Sequence, residues 1–484
     1  MKLLEERIIA DGKVIGDDIL KVDMFLNHQI DVHLLQEIGK EFKRRFDGCN
    51  INKILTIEAS GIGIACITAQ YFSVPVVFAK KGAHKNVGSN VYSSVVHSFT
   101  KGTDSLVTVS KDYINKGEKK MKVGFIFLHD ENSTYDKNFI TAAEEACKEL
   151  GVEIVKKTGI GETQACYDAA ADLADQGCSI VFADSFGHES FMIQAAEKYP
   201  DVQFCHATGT QAHTKGLKNF HNAFASIYEG RYLAGIAAGM KLNAMIKEGK
   251  FEAKDAKIGY VGAFPYAEVK SGYTAFFLGV RSVCKEATME VQFTGSWYDE
   301  AKEKEAATLL IGRGCKLISQ HADSMGAPTA CENAGVPNVS YNGSTLDACP
   351  NTFIVSSRIN WVPYMKYMIE CVRDGKEIDT DWCKGINEGA VELTAINDKV
   401  AAPGTAEAIK AAEEQFKAGT LHVFDTSTFT VGGKVLTSYK ADVDTDENYT
   451  PDTEVVSNGY FHESEKRSAP YFDVDIDGIT LLNK

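Results

Sequence analysis

Aromatic side chains at the ends of strand-like runs, with acids and amides nearby, are the residue types here best suited to holding a small flat molecule. Phe186 follows IVFADS, Trp297 follows VQFTGS and Trp361 follows IVSSRIN. Tyr135 lies beyond VGFIFL, Asp323 beyond KLISQH, and Asn342 directly after VSY. An aromatic face stacks on a flat ring, and a carboxylate or amide at the edge fixes its identity by hydrogen bonding. These six are the candidate ligand residues. Each also has a plainer role: the aromatics as core, Asp323 as a helix cap, and His321 as a satisfied structural histidine.

A second constellation is the turn Glu58-Ala59-Ser60-Gly61, between the strand-like KILTI and a helix starting at Ile62. Exposed backbone N–H groups and the helix dipole at such a turn can cradle an anion. Catalytic signatures are otherwise missing: there is no Walker loop, GxSxG elbow, HExxH or dinucleotide fingerprint. The acidic ladders Asp442-x-Asp444-x-Asp446 and Asp473-x-Asp475-x-Asp477 lack the late Glu of a calcium loop and read as half-exposed strands. No catalytic residue, metal or cofactor is expected.

The elements that must position these groups fall into three stretches. Residues 1–118 read as mixed α/β: helices at 3–10, 31–46 (Val32, Leu35, Ile38 and Phe42 at helical spacing) and 62–72, strands at 53–57 and 74–79. A hairpin of 93–99 and 105–109, joined by Thr100-Lys101-Gly102-Thr103, completes them. From Met121 strand and helix alternate regularly in two series, the second opening at Lys257, as in parallel sheets covered by helices. Two such lobes place a ligand cleft at the carboxyl ends of their strands. Residues 413–484 read as a β-rich extension, with FTVGGKVLTSYKADV as a hairpin turning on Gly432-Gly433.

Composition narrows the partners. The 484 residues carry a net charge of −15, which argues against nucleic acid, and 44% hydrophobic with 24% charged residues is ordinary for a globular chain. The cluster Lys111, Lys116, Lys119, Lys120, Lys122 reads as a solvated linker. Twelve cysteines without a CxxC pair, such as Cys66 in GIACITAQ, read as buried free thiols. The start MKLLEERIIADGKVIGDD lacks the apolar core of a secretory signal and a lipobox, and no run approaches the roughly 20 apolar residues of a membrane span. On that reading the chain is cytoplasmic.

The run ILKVDMFLNHQID (19–31), followed by TIEASGI, VPVVFAKK and VHSFTKGT, resembles bacterial xanthine phosphoribosyltransferase over about residues 1–115. The resemblance implies that Leu20 and Asn27 contact the base and that Ala59, Ser60 and Gly61 meet the pyrophosphate. The family's phosphate loop needs two acids followed by small residues and a closing glycine. Here the equivalent stretch is VGFIFLHDENST (123–134), with Asp130-Glu131 but no glycine to let the backbone close. The segment therefore reads as a remnant, separated by a seam near Glu118 from the rest of the chain.

Beyond the seam, FADSFGHESFMIQAAEKYPDVQFCHATGT, IYEGRYLAGIAAG, GSWYDEAKEKEAATLLIGRG, ISQHADS and INWVPYMKYMIECVRDG resemble the basic membrane protein family of purine-binding solute receptors, over about residues 121–420. That resemblance implies a two-lobed periplasmic-binding-protein type I fold over 121–412. Lobe 1 is expected at about 121–227 and 357–392, lobe 2 at about 228–356 and 393–412. It implies a purine nucleobase or nucleoside as ligand, adenine foremost for the branch with tryptophan in SWYD. An ABC transporter permease is the implied partner and the extracytoplasmic face of the cell membrane the implied location. Asn342 stands where many members carry Asp, which alters the edge contacts. A homodimer through the N-terminal segment is a further expectation. The alternatives are a xanthine phosphoribosyltransferase with a fused purine sensor, and a cytoplasmic purine-responsive regulator.

Overall fold

The computed structural model describes residues 1–16, 19–49, 51–81, 90–98, 103–114, 121–443 and 450–483. The chain divides into two compact units, Met1–Lys119 and Lys120–Lys484. Glu118, the 100–102 hairpin tip, the lysines at 116, 119 and 120, and Asp444 and Asp446 lie outside the described residues.

The first unit comprises α1 (Lys2–Asp11), β1 (Lys13–Ile15), β2 (Ile19–Lys21), α2 (Val32–Arg45), β3 (Ile54–Ile57), α3 (Gly61–Phe72), β4 (Val76–Lys81), β5 (Val91–Ser98) and β6 (Thr103–Ser110). β1 and β2 form a hairpin, and the main sheet runs β3-β4-β6-β5. Asp31 starts α2 by accepting the Leu34 N–H at 3.1 Å, and Lys43, Arg44 and Arg45 suit the negative end of its dipole. The helix buries Leu34, Leu35 and Ile38, while Val32 and Phe42, placed on the core face by spacing alone, are exposed. Phe42, Phe46, Leu55, Ile64 and Phe72 line an apolar groove with ≈ 840 Å³ of free space, part of it open.

The second unit begins with β7 (Lys122–Ile126), α4 (Thr134–Leu150), β8 (Glu153–Lys157), α5 (Gln164–Asp175), β9 (Ile180–Ala183), α6 (Glu189–Lys198), β10 (Gln203–Ala207), α7 (Ala212–Lys215) and β11 (Phe220–Ala225). It continues with α8 (Ile227–Lys247), β12 (Lys257–Gly262), α9 (Ala267–Val283), β13 (Thr288–Phe293), α10 (Glu300–Gly312), β14 (Leu317–His321), α11 (Gly326–Ala334) and β15 (Asn338–Tyr341). Then come β16 (Phe353–Ile359), α12 (Val362–Asp374), β17 (Asp381–Lys384), β18 (Val391–Leu393) and α13 (Thr405–Lys417). The first lobe is a parallel sheet β17-β11-β10-β9-β7-β8, clad by α4 and α12 on one face and α5 and α6 on the other. β11 is not evident from sequence pattern because FHNAFA buries His221 and Asn222 alongside its apolar residues and shows no alternation.

The second lobe is the sheet β18-β16-β15-β14-β12-β13, edged beyond β13 by the C-terminal strand Ile479–Leu481 and parallel except for the β16–β18 pair. The chain passes between lobes near Ser226, at Asn360 and between Lys384 and Val391. The lobe limits drawn from sequence at 357 and 392 therefore fall inside β16 and β18. α8 and α9 pack backbone to backbone because glycine permits it. A Cβ on Gly235 would stand 2.1 Å from the Phe276 carbonyl oxygen, and one on Gly279 2.1 Å from that of Tyr232. Position 412, drawn as the end of the receptor domain, falls within α13.

The C-terminal segment is mostly irregular and packs into the core of the second lobe through Phe461, Phe472, Val474 and Ile476. Its regular pieces are short: β19 (Lys440–Ala441) with β20 (Thr453–Glu454), β21 (Val456–Ser457) with β22 (Tyr460–Phe461), and β23 (Ile479–Leu481) on the sheet edge. The hairpin expected around Gly432-Gly433 reduces to one tight turn, bridged Val431 to Lys434. The Asp473-to-Asp477 ladder alternates in burial as expected but pairs with no strand. Lys270 instead binds Asp473 and Asp475 at 2.6 and 2.9 Å, and Asp477 accepts the N–H groups of Gly432 and Gly433. Cys66, expected inside, is exposed.

Candidate functional site

The carboxyl ends of the two sheets face each other across a cleft. From the first lobe come Leu128 after β7, Tyr135 in the first turn of α4, Ser185 and Phe186 after β9, and Thr208 after β10. From the second come Glu268 in the first turn of α9, Trp297 after β13, His321 and Asp323 at the end of β14, and Tyr341 at the end of β15. They enclose ≈ 360 Å³ of free space, partly open to solvent, at the small end of the roughly 300–1,000 Å³ of small-molecule sites. The lobes stand closed. The Thr134 N–H and hydroxyl donate to the Asp323 carbonyl at 3.2 and 3.1 Å, and the rings of Phe186 and Tyr266 are 6.0 Å apart.

Each wall is fixed from behind. Ser133 caps α4 by accepting the Asp136 N–H at 3.2 Å, which sets Tyr135, whose hydroxyl donates to the Asp184 carbonyl at 2.7 Å. The Asp323 N–H donates to the Trp297 carbonyl at 2.9 Å, coupling the acid to the indole's loop. Arg231, fully buried, donates to the Ser340 carbonyl and to the Ser357, Tyr260 and Ser319 hydroxyls, and lies 5.3 Å from the Tyr341 ring. Thr208 and Asn342 directly follow β10 and β15 at φ of 66° and 65°, a conformation uncommon for residues with a side chain and rarest for β-branched ones.

The electrostatics favour a ligand that brings hydrogen-bond donors. Burial, then the charges of Glu303, Asp136 and Glu268, push the Asp323 carboxyl well above its ordinary range, and Asn342 beside it pulls weakly the other way. Burial, then the charge of the adjoining Asp136 carboxylate and the hydrogen bond with it, likewise raise Asp184. Burial lowers His321, so its imidazole is neutral, with one donor and one acceptor; neither ring nitrogen has a hydrogen-bond partner, and Nε2 lies 3.5 Å from Glu268.

Four of the six candidate ligand residues thus line one cavity: Tyr135, Phe186, Trp297 and Asp323. Asn342 stands behind Asp323, its side-chain amide set against that carboxyl. Trp361 does not reach the cleft. It is 1% exposed and stacks on Phe139 at 4.4 Å inside the first lobe, because it follows β16 at the crossing, where the chain turns into α12. His321, read from sequence as structural, lines the cavity. Tyr341 and His321 are the last residues of their strands and obey the rule that selected Asp323; nothing in the sequence marks Glu268.

In the first unit Leu20 sits half-exposed in β2, and Asn27 ends a π-helical turn, Asp23–Asn27. Ala59, Ser60 and Gly61 form the turn into α3, where the Glu58–Ala59 peptide is cis and Gly61 abuts the Thr56 hydroxyl. The stretch VGFIFLHDENST belongs to the second unit: β7 pairs with β8 and β9.

Residues 126–420 match the family described as ABC transporter substrate-binding protein PnrA-like, or Bmp. The chain belongs to that family. This PnrA-like receptor has the fold of solved solute-binding proteins. An ABC transporter solute-binding protein from Conexibacter woesei superposes with a TM-score of 0.51 at 21% identity, over 62% of this chain and 98% of that one. Toward its N-terminal end the chain is 57% identical over 160 residues to xanthine phosphoribosyltransferase of Clostridium novyi, covering 33% of this chain and 83% of that protein. It is 65% identical over 120 residues to xanthine phosphoribosyltransferase 2 of Clostridium botulinum, covering 25% and 63%. No helix among the described residues is long and apolar enough to cross a membrane.

Proposed function

We propose that the cleft of the PnrA-like receptor binds a purine nucleobase or nucleoside and that the chain works as the substrate-binding component of an ABC transporter. The observation that carries this reading is the pairing, in one closed cleft, of aromatic faces from both lobes with a buried acid at the rim. Phe186 and Trp297 offer stacking surfaces, Tyr135 and Tyr341 close the sides, and Asp323 with Glu268 accepts from amino, ring N–H or ribose hydroxyl groups. Opening and closing about the three crossings admits and retains the ligand. A transporter permease is the corresponding partner, at the extracytoplasmic face of the membrane.

The likeness of the first part of the chain to xanthine phosphoribosyltransferases favours a second reading, transferase activity coupled to a purine sensor. We rank it below the first because Asp130 and Glu131 belong to the receptor unit. In the favoured reading the first unit is an attachment or dimerising element whose apolar groove is covered by a partner. Two assays separate the readings. Tryptophan fluorescence titrated with adenine, guanine, xanthine and their nucleosides should change saturably if the receptor reading holds. Turnover of xanthine with phosphoribosyl diphosphate in the absence of any such change would replace it with the transferase reading.

A further inference from the structure

A serine, a histidine and a carboxylate meet in the C-terminal segment, beyond residue 420 where the PnrA-like match ends. The hairpin of β21 and β22 turns on Asn458 and Gly459, at φ of 51° and 86°, and Ser457 is the last residue before that turn. The Ser457 hydroxyl lies 2.7 Å from His462 Nε2, and His462 Nδ1 lies 2.7 Å from Glu465 Oε2. Hydroxyl, imidazole and carboxylate in series activate a serine as a nucleophile, and such a set is recognised by geometry and roles, not by position in the sequence.

The set is held from behind. Val455, Val456 and Phe461 anchor the hairpin in the core of the second lobe, and the His462 N–H donates to the Val455 carbonyl at 2.9 Å. The buried Tyr471 hydroxyl accepts the Glu465 and Lys466 N–H groups, both at 3.2 Å, and donates to the His462 carbonyl. One side chain thus sets the spacing of base and acid. The Tyr460 ring lies 3.9 Å from the imidazole and limits its rotation. The His462 side chain is 12% exposed and that of Glu465 51%, while Ser457 is open to solvent. Glu465 takes the Nδ1 proton, which leaves Nε2 as acceptor of the serine proton. Nε2 also stands 3.2 Å from the Ser457 carbonyl, an acceptor for that proton once it has moved. The N–H groups of Asn458 and Gly459, next in the chain after Ser457, have no hydrogen-bond partner among the described residues and are available to an oxyanion.

We propose that Ser457, His462 and Glu465 form a second site, which hydrolyses small carboxylic esters. Ser457 Oγ attacks the ester carbonyl carbon as its proton passes to Nε2. The oxyanion then collapses, the C–O bond to the alcohol breaks, and the alcohol leaves with the proton from Nε2. Water attacks the acyl-serine in the same way, giving a proton to Nε2; that proton returns to Ser457 Oγ as the carboxylic acid departs. Because Ser457 is exposed, short acyl groups that need no enclosing pocket suit it. The site does not depend on what the cleft binds.

Treatment of the full chain with a fluorophosphonate, followed by peptide mass spectrometry, tests it together with hydrolysis of p-nitrophenyl acetate. A phosphonyl adduct on Ser457 is expected, and an ester turnover that Ser457→Ala abolishes. His462→Gln should slow both by about a hundredfold or more, as loss of a general base does. Glu465→Gln should slow them by less, because the acid is half exposed. A hydroxyl that only braced the turn would react no faster than any other exposed serine. No adduct at Ser457, an adduct formed equally fast in His462→Gln, or ester hydrolysis unchanged in Ser457→Ala would overturn the proposal. Ser457→Ala alters an exposed side chain and decides the matter if His462→Gln does not fold.

Discussion

Two of the chain's three tryptophans make opposite predictions. Trp361 is packed against Phe139, with Phe182, Tyr364 and Phe224 at ring-centroid distances of 6.1, 6.1 and 6.3 Å. Trp361→Ala removes a buried aromatic from a closed core and should cost about 3–5 kcal/mol of stability. Trp297 is only partly buried and meets Phe264 and Tyr266 at 5.3 and 6.2 Å, so its loss leaves no closed void. Trp297→Ala should therefore change stability little but weaken a stacked ligand by about 1–3 kcal/mol, or roughly 5- to 150-fold. The assay is urea unfolding followed by tryptophan fluorescence, paired with ligand calorimetry. All three tryptophans, Trp297, Trp361 and Trp382, lie in the second unit, so the optical signal reports that unit alone. Unfolding of Trp361→Ala at the same urea concentration as the parent, or undiminished affinity of Trp297→Ala, would contradict these two placements.

Other expectations rest on the same packing and charges. Asp323→Asn removes an acid whose ionised form burial and three neighbouring carboxylates disfavour, so thermal stability at pH 8 should hold or rise while ligand affinity falls about tenfold or more. Burial lifts Glu463 from 4.5 to about 8, and the folded chain therefore holds a proton that the unfolded chain releases. Stability contributed by that proton is complete below pH 4.5 and is lost as pH rises to about 8, by at most about 1.4 kcal/mol per pH unit. Glu463→Gln should flatten the melting-temperature profile between pH 7 and 8; an unchanged slope would show that Glu463 is not titrating there. Gly279→Ala drives a methyl into the Tyr232 backbone and should destabilise by about 1–3 kcal/mol, whereas Gly312→Ala, with open space around it on α10, should be neutral or mildly stabilising; equal melting curves for the two would contradict the close helix contact.

Strand and helix alternation made most of the second unit legible, because each parallel strand is an apolar run and helices carry their own caps, as Ser133 does for α4 and Asp299 for α10. The cleft was legible through strand ends: Phe186, Trp297 and Asp323 follow β9, β13 and β14. Trp361 satisfies the same rule yet turns inward, because position along a strand does not encode which way the following turn carries the side chain. Glu268 was invisible, since an acid in the first turn of a helix is equally expected from the dipole. The C-terminal segment defeated periodicity for a different reason. Phe472, Val474 and Ile476 alternate with acids like a strand, but ion pairs to Lys270, not a ladder, hold them extended.

Calorimetry of the full chain, stripped of small molecules by unfolding and refolding, against adenine, guanine, xanthine and their nucleosides tests whether the receptor cleft is a purine site. One purine should bind per chain, and a Phe186→Ala, Trp297→Ala double variant should lose it while changes at Leu20 leave it intact. Absence of binding to every compound, or binding that survives the double variant and disappears with Leu20, would contradict a purine site in the receptor cleft.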